Sequence, residues 1–236
     1  MEFDGARPGI PAAIRDPGVV AIGRRLDADS VATIADGLVA GGVRAFELTL
    51  NEPVADALAS IEALAHRFAE SDLLVGAGTV MSIAAAERAI HAGARFLVSP
   101  HLDTDLVRWA ATRGVPCFPG ALTPTEIVAA WRAGAAAVKL FPASVAGPAL
   151  VRELRGPLPD IQLLPTGGVT LESAPLFIRA GAAGVGMGGW LTGDGDPAGI
   201  QQRAASIVAA VAAARADLAA TRPAAARSAP QEPAPA

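Results

Sequence analysis

The chain has 236 residues, 52% of them hydrophobic and 18% charged, so it can bury a sizeable core and lacks the composition of a disordered protein. Its net charge of −4, without a basic cluster, argues against nucleic acid as a partner. The single Cys117 excludes an internal disulfide and reads as a buried structural thiol rather than a nucleophile.

In chain order, residues 1–18 form a polar, proline-bearing segment without an apolar stretch of signal-peptide length, expected to hold a short helix capping the fold. No apolar stretch of about 18 residues runs unbroken, so no membrane span is expected and the cytoplasm is the default compartment. Short apolar runs then read as strands: Val19–Gly23, Ala45–Leu50, Leu73–Thr79, Arg95–Ser99, Val115–Phe118, Ala137–Phe141, Ile161–Pro165 and Gly184–Gly188. Segments rich in Ala, Leu and Arg alternate with them as helices: Ser30–Ala40, Val54–Ala69, Ile83–Ala92, Thr104–Thr112, Pro124–Ala133, Ala149–Leu154, Leu171–Ala180 and Gly199–Ala214. Gly41-Gly42, Gly93, Gly114, Gly134 and Gly181 fit helix C-caps. Asp29-Ser30, Ser82, Asp103-Thr104 and Thr123-Pro124 fit the opposite ends. Residues 217–236 are Ala/Pro-rich and read as a disordered tail.

Successive βα units over 19–216 predict a single-domain α/β fold, the (β/α)8 barrel. An open doubly wound sheet would usually carry a glycine-rich dinucleotide turn after the first strand, and Gly23-Arg24-Arg25-Leu26 is not one. In a barrel the chemistry sits at the C-terminal ends of the strands. There the chain offers Arg24, then Glu47, Thr49 and Asn51, then Thr79, then Pro100 and His101. Lys139, Phe141, Thr166, Gly167, Gly168, Gly188 and Gly189 complete that rim.

Among the 19 Lys+Arg residues Lys139 is the only lysine, and it stands inside an apolar strand. Guanidinium keeps its charge in proteins, whereas a buried ammonium can lose its proton and act as a nucleophile toward a carbonyl. The plainer reading is a lysine that packs its stem and sends its charge to water. Strand alternation places Glu47 with Thr49 and Asn51, and Lys139 with Phe141, on inward faces. An amine beside a carboxylate that moves protons accounts for the pair better than a buried salt bridge, a weak stabiliser. The glycines after the last two strands suit close approach of a phosphate to backbone N–H groups, or simply closure of the fold. The Arg24 fork suits a carboxylate or phosphate, though it also reads as a solvated arginine beside Arg25. His66 and His91 fall on outer helices, and His101 lacks neighbouring ligands, so no metal site is expected.

These motifs resemble the 2-keto-3-deoxy-6-phosphogluconate (KDPG) aldolases, a family that includes 4-hydroxy-2-oxoglutarate aldolases. The likeness spans about Val19 to Leu191 and rests on Phe46-Glu47-Leu48-Thr49-Leu50, Val75-Gly76-Ala77-Gly78-Thr79-Val80 and Val98-Ser99-Pro100. It continues through Phe118-Pro119-Gly120, Val138-Lys139-Leu140-Phe141-Pro142-Ala143, Pro165-Thr166-Gly167-Gly168-Val169 and Gly188-Gly189-Trp190-Leu191. The resemblance implies a class I aldolase with Lys139 as Schiff-base lysine and Glu47 as general acid/base. It implies a pyruvate pocket of Thr79, Pro100, Phe141 and Thr166, a phosphate held by the glycines, no cofactor, a cytoplasmic location and a homotrimer. Its substrate would be a 2-keto acid: 2-keto-3-deoxy-6-phosphogluconate, its galactonate epimer, or 4-hydroxy-2-oxoglutarate. Asn51-Glu52-Pro53 is similar to the galactonate branch, Pro165-Thr166-Gly167-Gly168 to the gluconate branch, and Gly189 stands where the family commonly has serine. A phosphate-binding scaffold without catalysis is the non-enzymatic alternative; a metal-dependent epimerase would need rim ligands that the chain lacks.

Overall fold

The computed structural model describes residues 3, 5–51, 53–193 and 196–221. Its strands are β1 (Val19–Gly23), β2 (Ala45–Thr49), β3 (Leu74–Gly78), β4 (Leu97–Val98), β5 (Cys117–Phe118), β6 (Gly120–Ala121), β7 (Val138–Leu140), β8 (Leu163–Pro165) and β9 (Val185–Met187). The helices are α1 (Ala12–Arg15), α2 (Ala28–Ala40), α3 (Val54–Arg67), α4 (Ile83–His91), α5 (Thr104–Thr112), α6 (Pro124–Arg132), α7 (Ala143–Arg155), α8 (Ala174–Arg179), α9 (Gly189–Thr192) and α10 (Pro197–Thr221).

Every strand pairing is parallel, and strand order follows the chain: β5-β4-β3-β2-β1-β9 in one sheet, β6-β7-β8 in the other. β5 and β6 are two halves of one run, interrupted at Pro119, which has no N–H to give to a ladder. The first half pairs with β4 and the second with β7. At the far side Thr166 bridges Gly186, and the Ala183 N–H donates to the Leu163 carbonyl at 2.9 Å. The result is a curled parallel sheet with helices on its outside.

Strands covered on both faces should be apolar throughout, as these nearly are. Val19, Ala21, Phe46, Leu48, Val75, Ala77, Val138 and Leu140 pack outward against the helices in the larger core. The alternate residues Val20, Ala45, Phe96, Val98, Phe118, Ala137 and Leu164 form a separate inner cluster, joined by Ile14 from α1. Phe96 and Phe118 meet edge to face there, with ring centroids 5.9 Å apart. Gly76 makes room for this pair: a Cβ on it would overlap the Phe96 ring.

Local signals account for most helix ends. Ser82 and Asp103 accept backbone N–H groups as N-caps, and Thr123 with Glu126 forms a reciprocal capping box ahead of Pro124. Gly42, Gly93, Gly114, Gly134 and Gly181 all have positive φ after their helices. Some expectations need correction. The α2 cap is Asp27, which accepts the Ser30 N–H at 2.8 Å, rather than Asp29-Ser30. α7 starts at Ala143, not Ala149, because the chain kinks at Gly147 (φ 65°) before Pro148, and that pair hides the first turn from a pattern reading. α9 has no amphipathic signal. α10 continues through Thr221, past the expected start of the tail at 217; its end is alanine-rich and tied by an Arg179–Asp217 ion pair at 2.8 Å. Residues 222–236 of that tail lie outside the described residues.

The inner packing makes a direct prediction. Gly76→Ala should cost about 1–3 kcal/mol, lowering Tm by several degrees in thermal denaturation. Gly9→Ala, where an added Cβ meets nothing within 4 Å, should leave Tm nearly unchanged.

Candidate active site

Four buried polar side chains come from inward positions at the C-terminal ends of the strands: Glu47 and Thr49 of β2, Lys139 of β7, and Thr166 just after β8. Burying ions is costly, and the sheet accommodates these by omitting side chains around them. Glu47 pairs in register with Gly76, and a Cβ on the next inward residue, Gly78, would overlap the Glu47 carboxylate. Lys139 pairs with Gly120, where a Cβ would overlap the Pro100 carbonyl. A Cβ on Gly186 would overlap the Thr166 hydroxyl. Gly76 and Gly78 carry no role in the sequence reading beyond their motif, and Gly186 only that of a rim glycine suited to close backbone approach. The available signal was a glycine inside a strand pattern, which marks close approach.

Lys139 is 6% exposed and Glu47 2%. The Lys139 Nζ lies 5.1 Å from the centroid of the half-buried Phe141 ring. Among the described residues no ion pair joins Lys139 to a carboxylate, so neither group is locked in a salt bridge. Burial pushes the Glu47 carboxyl above its ordinary range, while the charges of Lys139 and then Arg24 pull it down less strongly. Arg24 is itself exposed on the rim. A carboxyl of raised affinity for protons beside a primary amine can both take and return a proton, the requirement of imine chemistry.

The remaining predicted residues fall into three places. Thr79, half-buried, follows β3 with φ 56°, a strained conformation for a β-branched residue, and Pro100 follows β4 with its carbonyl against Gly120. Gly167 (φ 90°) and Gly168 (φ 75°) follow Thr166 in conformations that suit glycine, while Gly188 and Gly189 close β9. Nothing lies within 4 Å of where a Gly189 Cβ would stand. Thus the two glycine loops follow neighbouring strands. Asn51 does not join them: it lines a separate cavity with Gly23, Arg25 and Thr49. His101 is exposed, as are His66 and His91. Cys117 is buried and its thiol is pushed up to about 12, chiefly by burial, which keeps it unreactive.

Glu47 should leave a mark on stability. Its folded form holds a proton to higher pH than the unfolded form, so the native state binds more protons in that window. Stability is then lost as pH rises from the usual glutamate range through the raised folded value. Glu47→Gln removes this loss: its Tm should exceed that of the wild type at pH 7–8, by a margin that shrinks toward pH 4. A margin constant with pH would show that Glu47 is not strained by burial.

Residues 10–209 match the sequence model described as KDPG and KHG aldolase. The chain is 37% identical over 203 residues to a probable 2-dehydro-3-deoxy-6-phosphogalactonate aldolase of Rhizobium meliloti, covering 85% of this chain and 94% of that one. It is 42% identical over 159 residues to the 2-dehydro-3-deoxy-phosphogluconate aldolase of Pseudomonas aeruginosa, covering 66% and 68%. The KDPG aldolase of Legionella pneumophila, solved with pyruvate captured as a covalent carbinolamine, shares its fold with TM-score 0.71 and 26% identity over 89% of this chain and 98% of that chain. With its single lysine buried within electrostatic reach of a buried glutamate, the chain belongs to the KDPG and KHG aldolase family, whose members are aldehyde-lyases.

Proposed function

We propose that this chain is a class I aldolase cleaving a 2-keto-3-deoxy-6-phospho sugar acid, the gluconate or the galactonate epimer, into pyruvate and glyceraldehyde 3-phosphate. The observation that carries the reading is the only lysine, buried on an inner strand face within electrostatic reach of an equally buried carboxyl. The neutral Lys139 amine attacks the C2 carbonyl and, with loss of water, forms an iminium. Glu47 takes the C4 hydroxyl proton, the C3–C4 bond breaks, and its electron pair moves to the iminium, giving an enamine and the free aldehyde. The enamine is protonated at C3, and water hydrolyses the resulting iminium to pyruvate and the amine. No further cofactor enters this balance. The carbinolamine in the Legionella relative supports the first step.

In this reading Thr79, Pro100, Phe141 and Thr166 line the pyruvate pocket. Arg24 takes the substrate carboxylate, supported by its charge acting on Glu47. The backbones of Gly167, Gly168, Gly188 and Gly189 hold the phosphate, supported by the positive φ of the first two and the open space at the last. The same reading takes residues 19–216 as one complete (β/α)8 barrel, supported by the split fifth strand and the Thr166–Gly186 bridge. It also takes the protein as a cytoplasmic homotrimer. The exposed Met81, Val145, Leu176 and Trp190 supply apolar surface for such an assembly.

Steady-state kinetics with coupled detection of pyruvate test the proposal. Lys139→Arg should abolish turnover, by more than about 10³-fold, with an unchanged circular dichroism spectrum, since arginine forms no imine. Comparison of kcat/KM for the two phosphorylated epimers and for 4-hydroxy-2-oxoglutarate assigns the substrate. Retained activity in a folded Lys139→Arg protein would refute the mechanism.

A further inference from the structure

A cavity of about 250 Å³, lined by Thr49 but not by Lys139 or Glu47, lies among the end of β2, the loops that follow β1 and β2, and helices α2 and α3. Its polar lining is Arg25, Asp27, Thr49, Asn51, Asp56 and Ser60. Two departures from ordinary structure meet there. Asn51 Oδ1 is buried without a hydrogen-bond partner, which a folded chain rarely tolerates. Arg25 has φ 54°, a conformation uncommon outside glycine and concentrated at binding sites.

The character of the lining decides what fits. The Thr49 hydroxyl already donates to the Gly23 carbonyl at 3.2 Å, so toward the cavity it can only accept. Asn51 Oδ1 is an acceptor, and the Asp27 and Asp56 carboxylates are acceptors that repel phosphate or carboxylate. Arg25 adds one cationic donor to this set; the partner that Asn51 Oδ1 itself requires is a hydrogen-bond donor, which a neutral hydroxyl supplies. The volume lies below the roughly 300–1,000 Å³ of whole-ligand pockets, so a chain of few carbons fits. The cavity shares Thr49 with the inward face that carries Glu47 two residues earlier on β2, while Leu48 and Ser60 line its outer side.

We propose that this cavity is a hydroxyl-reading subsite for the aldehyde half of the substrate, with Asn51 Oδ1 accepting from a substrate hydroxyl. This rests on the aldolase reading and adds the residue that selects hydroxylated chains. The substrate hydroxyl replaces the missing partner of Asn51, whereas a deoxygenated analogue leaves that oxygen buried and unpaired. Discrimination of this kind is strong wherever a site is built around a hydroxyl.

The test is aldol addition of pyruvate to D-glyceraldehyde and to propanal, which lacks the hydroxyls, compared as kcat/KM. The wild type should favour glyceraldehyde. Asn51→Ala should reduce that preference at least about tenfold, with the loss confined to the glyceraldehyde arm. Asn51→Asp, which keeps an acceptor oxygen, should hold the preference and guards against a folding defect in the alanine variant. An unchanged ratio in Asn51→Ala, or equal losses in both variants, overturns the subsite while leaving the aldolase reading intact. A wild type inert toward both aldehydes overturns the subsite, and one inert toward glyceraldehyde 3-phosphate as well overturns the aldolase reading.

Discussion

Two ionisable side chains of opposite sign, nearly shut off from water, lie on the inner face of a parallel sheet within electrostatic reach of each other. A buried pair of this kind contributes little to stability and often costs more than apolar residues of the same volume. Here it is not even closed into an ion pair among the described residues, so its presence calls for a chemical reason. In the reading proposed above that reason is reactivity: burial raises the proton affinity of the Glu47 carboxyl, and Lys139 is the amine that adds to a carbonyl carbon. Glycines on neighbouring strands leave space around these groups. Gly78 lies against the Glu47 carboxylate, Gly120 beside Lys139, and Gly186 against Thr166. The inner face alternates polar side chains with absent ones.

Below this layer the interior is ordinary core. Phe96, Phe118, Val20, Ala137 and Leu164 fill the curl, with Ile14 of α1 among them. The polar groups lie toward the C-terminal ends of the strands and the apolar ones beneath. Long outer helices such as α10, which packs on α2 and α8, hold the curl from outside.

Much of this was legible in the sequence because the governing signals are local. Apolar runs bounded by glycine marked the strands, since a strand buried on both faces has no polar side to show. A lone lysine in a chain that otherwise uses arginine singled out Lys139, and the alternation of Phe46, Glu47, Leu48 and Thr49 set the direction of Glu47. What stayed hidden depends on contacts between segments distant in the chain. Nothing around Gly78 announces that it makes way for Glu47, and the break of the fifth strand at Pro119 follows from pairing with two different neighbours. Asn51 reads from its strand position as one more lining residue of the Lys139 pocket. Only the turn after β2, where its N–H bonds back to the Thr49 carbonyl at 2.8 Å, takes it to the adjoining cavity.

The central claim is that the amine of Lys139 becomes covalently attached to a keto acid. Borohydride reduction of the protein in the presence of pyruvate, followed by peptide mass analysis, measures this most directly, since the only competing amine of the 236-residue chain is its N-terminus. The account predicts a stable adduct on the peptide containing Lys139, dependent on pyruvate and absent from Lys139→Arg. An adduct on the N-terminal peptide alone, or none on folded protein, would contradict it.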